Sequence, residues 1–201
     1  MLIEHQGRRP RVAPSAYVAP NAMVAGDVTV GEDCRVLFGA VVTAEDGGTV
    51  ELGERAIVME QAVVRGRSGH PARVGRHVLI GPHAHVNGAT LDDGVFIASG
   101  ASVFPGARLG AGAEVRINGV VHVNSSLPEE AVVPIGWVAV GDPARVLPPS
   151  QHEQIAEVQR QLDFVGTVYG VDRGPVLEEM AEITRRYAEL FGRHRDDRPV
   201  G

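Results

Sequence analysis

The sequence predicts an all-β solenoid in which short parallel strands wind into a prism of about seven coils, followed by C-terminal α-helices. Three observations predict it. The first is a six-residue rhythm of aliphatic residues. Val12, Val18, Val24, Val30, Val36 and Val42 share one register, Leu52, Val58 and Val64 the next, and Val74, Ile80 and Val86 a third. After one skipped residue the rhythm continues through Leu91, Ile97, Val103, Leu109, Val115, Val121, Leu127 and Val133. Such a period fits neither an amphipathic helix nor simple strand alternation, but it suits a short strand plus a turn repeated around a prism. The second observation is a small residue four positions after the aliphatic one, as in Ala22, Cys34, Ala40, Ala62, Ala84 and Ala101. The third is the supply of Gly, Asp and Asn between these pairs, which suits sharp corners.

Taken along the chain, residues 1–147 read as the β-helix domain. At about 4.8 Å per layer its seven coils, counted from Val12, make a prism on the order of 30 Å tall. Two insertions lengthen a step without breaking register: Thr43–Val50, with Glu45, Asp46, Gly47 and Gly48, and Arg67–Arg73, with Gly69, His70 and Pro71. Loops protruding from a repeat scaffold are where sites are built, so both are functional candidates. Residues 148–192 read as a helical segment. Ser150 and Glu153 form a capping-box pattern before Ile155, Val158 and Leu162 on one helical face. Gly166–Gly174 reads as a linker, and Leu177, Met180, Thr184, Tyr187 and Phe191 as a second stripe ending at Gly192. Residues 193–201 are polar and are expected to be a disordered tail.

Composition narrows the function classes. A net charge of -6 leaves no basic surface for nucleic acid or an anionic membrane. Nowhere do about 20 consecutive apolar residues occur, as a membrane-spanning helix requires. All 19 basic residues are arginine, so lysine Schiff-base chemistry is excluded. The single cysteine, Cys34, occupies a small inward position and forms no intrachain disulfide. With no signal-peptide core in Met1–Arg11, the expectation is a reducing, cytoplasmic setting.

The hexapeptide pattern resembles the left-handed β-helix of the hexapeptide-transferase superfamily. The paired insertions, Ile80-Gly81 and Gly136-Trp137-Val138-Ala139-Val140-Gly141-Asp142-Pro143-Ala144-Arg145 make it similar to the γ-class carbonic anhydrase group in particular. The resemblance implies left-handed winding, a homotrimer, and a zinc-type ion held by three histidines at the subunit interface. At those positions this sequence has Arg65, Pro82 and Asn87. Arginine keeps its proton and proline offers no side-chain donor, so no metal is expected there and the hydration chemistry of the group is lost. The group's Arg-Gly-Asp segment is replaced by Thr43-Ala44-Glu45, and its solvent-positioning Gln by Met59.

Counting coils stacks Thr43, Arg65, Asn87 and Phe104 in one column, and Phe38, Glu60, Pro82, Ser99 and Ile117 in a second on another face. Pairing of Arg65 with Glu60 across the trimer is one expectation. The other is an exposed guanidinium beside Asn87 that holds a small anion such as a carboxylate or bicarbonate. His83 and His85 flank the inward Ala84, with both rings expected on the same outward side of a strand. Three functions therefore compete. One is a metal-free, small-anion-binding or structural homologue built on Thr43, Glu45, Glu60, Arg65, Asn87 and Phe104. The second is an acyltransferase taking an acyl-coenzyme A thioester, with His83 or His85 as base. The third is an enzyme whose divalent metal, zinc or another, has moved to His70, His83 and His85.

Overall fold

The structure is a computed structural model and describes residues 1–200. Three parallel sheets form the walls of a β-helix, and successive strands on each wall come from successive coils. The first sheet carries Leu2–Glu4, Met23–Ala25, Val41–Ala44, Val63–Gly66, His85–Asn87, Ser102–Val103, Val120–Val121 and Val138–Val140 in parallel. The coils thus begin at Leu2 rather than Val12, and this wall has eight parallel layers where about seven were expected. The hexapeptide register is reproduced strand by strand: Val24, Val42, Val64, Val86, Val103, Val121 and Ala139 pair in one inward column. Its members are buried. So are the small partners Ala22, Cys34, Ala40, Ala56, Ala62, Ala84, Ala101, Ala107 and Ala113, because an inward wall residue has only the neighbouring coils and the opposite walls to meet.

The corners require left-handed backbone. One edge stacks Gly39, Gln61, His83, Gly100, Asn118 and Gly136, all at positive φ. The two insertions stack on each other. Gly48 makes this stacking feasible, since a Cβ there would lie 2.2 Å from the Arg67 Cα.

After the last coil the chain turns back. The antiparallel strand Arg145–Leu147 closes the first sheet at one end. Helix α1 (His152–Gln161) then seats Ile155, Val158 and Leu162 against Val138, Val140 and Leu147. The expected Ser150–Glu153 capping box is absent: Pro149–Gln151 forms a 3-10 turn instead, and no side chain caps α1. A second helix, α2 (Phe164–Tyr169), falls in the segment read as a linker. Its N-cap is Asp163, whose carboxylate accepts from the Gly166 N–H at 3.1 Å. Helix α3 (Val176–Gly192) follows. Its packed face holds Ile183 with Val165 and Val171, and the half-buried Tyr187. Leu177, 86% exposed, and Met180 point away, so the expected stripe is rotated around the helix. The residues expected to be a disordered tail form a 3-10 turn, Arg193–Asp196, and a strand, Arg198–Pro199. That strand pairs antiparallel with Leu2–Glu4, so backbone hydrogen bonding to an otherwise open sheet edge orders a polar sequence.

Candidate functional site

The returning chain covers the outer side of the first sheet. Arg67 donates to the carbonyls of Thr167 and Val168 at the end of α2. Asn124 donates to the Thr167 hydroxyl, and Arg193 pairs with Asp46 in the first insertion. Aromatic rings run along the same line: Phe164 lies 5.5 Å from Phe104 and 5.4 Å from His122, and Tyr169, Tyr187 and Phe191 continue from it.

Beneath this cover lies the column predicted by counting coils. Arg65 pairs in register with Thr43 on one side and Asn87 on the other. Phe104 and His122 continue on the next coils. Glu45, 6% exposed, follows the strand that carries Thr43 and accepts from its hydroxyl at 3.1 Å. Arg65 Nε lies 3.2 Å from the same Glu45 oxygen, at an angle that makes a charge contact and not a hydrogen bond. Within the chain, then, the acidic partner of Arg65 is Glu45. Glu60 sits on the corner column with Phe38, Pro82, Ser99 and Ile117, off this face, and forms no ion pair among the described residues.

Among the described residues, five buried side-chain atoms lack a hydrogen-bond partner: Arg65 Nε, Arg67 Nε, His85 Nε2, Asn87 Oδ1 and His122 Nδ1. All five belong to the first sheet or to the residues that continue its strands. Buried polar groups are normally satisfied, so a cluster of orphans on one wall marks a place where polar atoms of a ligand or water belong. Burial, seconded by the nearby Arg65 charge, lowers the pKa of His85, and burial lowers that of His122. Both imidazoles are therefore neutral near pH 7 and able to accept a proton. Burial also raises the Tyr187 phenol, which feels Arg67, Arg65 and Glu45 from α3.

The two histidine candidates part company here. His85 opens the strand His85–Asn87, pairs in register with Val63 and Ser102, and is half-buried. His83 sits one turn earlier at φ 57 on an exposed corner, so the expected shared orientation is lost to a left-handed turn. His70, half-buried in the second insertion, backs onto Gly88. Its pKa is lowered by burial and then by Arg67. His70, His83 and His85 do not converge as a ligand set. The positions expected to match a metal site, Arg65, Pro82 and Asn87, do not fit one either, since Arg65 is a cation engaged by Glu45 and Pro82 has no donor. Counting coils reached Thr43, Arg65, Asn87 and Phe104. It did not reach Arg67, Phe164 or Tyr187, nor His122, although the same step of the repeat places His122 in this column.

No protein-family model matches the chain, and no curated protein sequence matches it. Solved structures do. A Bacillus cereus protein assigned as an acetyltransferase is 23% identical with a TM-score of 0.55, over 83% of this chain and 94% of that one. A hexapeptide transferase family protein from Anaplasma phagocytophilum is 22% identical with a TM-score of 0.51, over 94% and 98%. The chain shares their fold, a hexapeptide-repeat β-helix. A UDP-N-acetylglucosamine acyltransferase from Bacteroides fragilis shares that fold at 13% identity and a TM-score of 0.55, over 96% of this chain and 91% of that one. No helix is long and apolar enough to cross a membrane.

Proposed function

We propose that the protein transfers an acyl group from a thioester, such as acyl-coenzyme A, to the hydroxyl or amine of a small acceptor, with His85 as the general base. The observation that carries this reading is the orphaned Nε2 of a neutral His85 among four other unpaired polar atoms on one wall. His85 Nε2 takes the acceptor proton as the acceptor oxygen or nitrogen bonds to the thioester carbonyl carbon. The carbon–sulfur bond then breaks, and the imidazolium returns the proton to the leaving thiolate. The Arg65 guanidinium, already charged beside His85, stabilises the oxyanion that forms between the two steps. The acyltransferases that share the fold raise the weight of this chemistry, as analogy.

Thiol release from acetyl-coenzyme A across a panel of small amines, amino sugars and alcohols tests it. His85→Ala is expected to reduce turnover about 10²- to 10⁴-fold, the usual worth of a general base, while His83→Ala leaves it near wild type. Absence of thiol release from the whole panel, with no coenzyme A binding by calorimetry, overturns it.

Arg65 and Arg67 favour a second reading, an anion-binding protein without turnover. Its test is a thermal shift with bicarbonate and small carboxylates that Arg65→Met removes. Assembly as a homotrimer belongs to either reading. It is supported by exposed Phe38, Phe96, Ile117 and Ile135 beside an apolar groove lined by Met59, Leu79 and Pro82, and light scattering in solution tests it.

A further inference from the structure

At the base of the solenoid, at the end of this same sheet, three side chains from opposite ends of the sequence meet. His5 follows the first strand and is fixed by a tight two-way bridge with Arg8, His5 N to Arg8 O and Arg8 N to His5 O, each 3.0 Å. His194 comes from the 3-10 turn after α3, and Asp197 stands just before the strand that pairs with Leu2–Glu4. His5 Nδ1 is 2.6 Å from Asp197 Oδ1, and His194 Nδ1 is 2.8 Å from Asp197 Oδ2. The three donor atoms lie within 4.8 Å of one another, and no other trio of His, Cys, Asp or Glu converges this way among the described residues.

We propose that His5, His194 and Asp197 form a binding site for a divalent transition metal ion of the zinc type, which clamps the C-terminal strand to the base of the solenoid. Two imidazole nitrogens and one carboxylate oxygen suit a borderline cation in four-coordinate geometry, with water as the fourth ligand; calcium and magnesium want oxygen donors. The backbone register supplies preorganisation, because Glu4 opposite Arg198 and Ile3 opposite Pro199 hold the two contributing segments side by side before any ion arrives. On binding, each ring presents its Nδ1 lone pair to the ion and carries its one proton on Nε2. The rings stack at 4.4 Å and 25°, so one must turn for both lone pairs to face the ion. His5 is 3% exposed and fixed, whereas His194 is 35% exposed and has room to swing. The site stands independently of the acyl-transfer reading.

Cobalt(II) titration of the full chain reports it directly. One equivalent is expected to produce the visible absorption of four-coordinate cobalt, and zinc is expected to raise Tm reversibly towards EDTA. Asp197→Asn, which keeps the size and an acceptor, removes both signals, and His5→Gln does the same. His152→Gln, on an exposed histidine elsewhere, leaves them intact. Wild-type protein with neither the cobalt bands nor the zinc shift overturns the proposal, since His5–Asp197–His194 is then a metal-free hydrogen-bonded clasp. Retention of binding in Asp197→Asn, or its loss in His152→Gln, overturns it too.

Discussion

Replacing Arg65 with Met leaves the Glu45 carboxylate buried, with the Thr43 hydroxyl as its remaining close partner. At 3.2 Å the Coulomb attraction between the two charges is about 5 kcal/mol gross at an effective dielectric near 20. Arg65 is 32% exposed, so water already screens part of that, and the net loss comes to about 2 kcal/mol. For a chain of this size that lowers Tm by roughly 4–8 °C. The two single variants are not equivalent. Glu45→Gln frees a guanidinium that can reach water and costs about half as much, whereas Arg65→Met strands a carboxylate that cannot. Combining them relieves the stranded charge, so the double variant recovers most of the Arg65→Met loss. Reversible urea unfolding of the four proteins gives the coupling energy. A coupling below about 0.5 kcal/mol, or a double variant as unstable as the sum of the singles, refutes the assignment of Glu45 as the partner of Arg65.

Three further outcomes follow from the geometry. Burial holds His85 and His122 below the usual histidine pKa of 6.5, so the unfolded chain binds more protons in mild acid and stability falls as pH drops through that value. Thermal unfolding between pH 7.5 and 5.5 is expected to show this fall, and His122→Phe, packed between Phe104 and Phe164, to flatten it; an unchanged slope excludes His122 as a contributor. Gly48→Ala forces a methyl into the Arg67 backbone and is expected to cost more than about 2 kcal/mol in chemical denaturation, whereas Gly47→Ala, with open space but φ 75, costs about 1–2 kcal/mol. Asp163→Ala removes the N-cap of α2 and is expected to cost about 1 kcal/mol, with faster amide exchange at Gly166, whose N–H it releases.

The register of the coils was legible because a solenoid core is nearly one-dimensional: Val64 needs only Val42 and Val86 in line with it, so counting residues is enough to stack Thr43, Arg65, Asn87 and Phe104. The strand at Leu2–Glu4 escaped because it has no hexapeptide before it to set a phase. The misread orientation of His83 has a specific cause. Alternation across Ala84 predicts a shared side, but a corner in the left-handed region intervenes, and nothing in Pro82-His83-Ala84 distinguishes a corner from a strand without its neighbours in space. Helix α3 illustrates the other limit. Its periodicity allows the stripe from Leu177 to Phe191 or a face turned towards Ile183, and the choice is made by α2, whose buried Val165 and Val168 were concealed around Gly166 in a segment that ends at Gly170. The cover over Arg65 and His122 depends on that choice, so the column was readable while its burial was not.

The path of the last fifty residues changes how the molecule can come apart. A stack of coils alone would peel from either end, one layer at a time, with each layer answering only to its neighbour. Here α1 is anchored on the final coil, and the strand Arg198–Pro199 is hydrogen-bonded to the first. The helices act as a bowstring between the two tips, so loosening one tip slackens contacts at the other. Partial unfolding of a single terminal coil should therefore be rarer than in an untied stack. The same closure makes the finished fold wait for residues almost the full chain apart to meet, a slow last step in return for ends that hold each other.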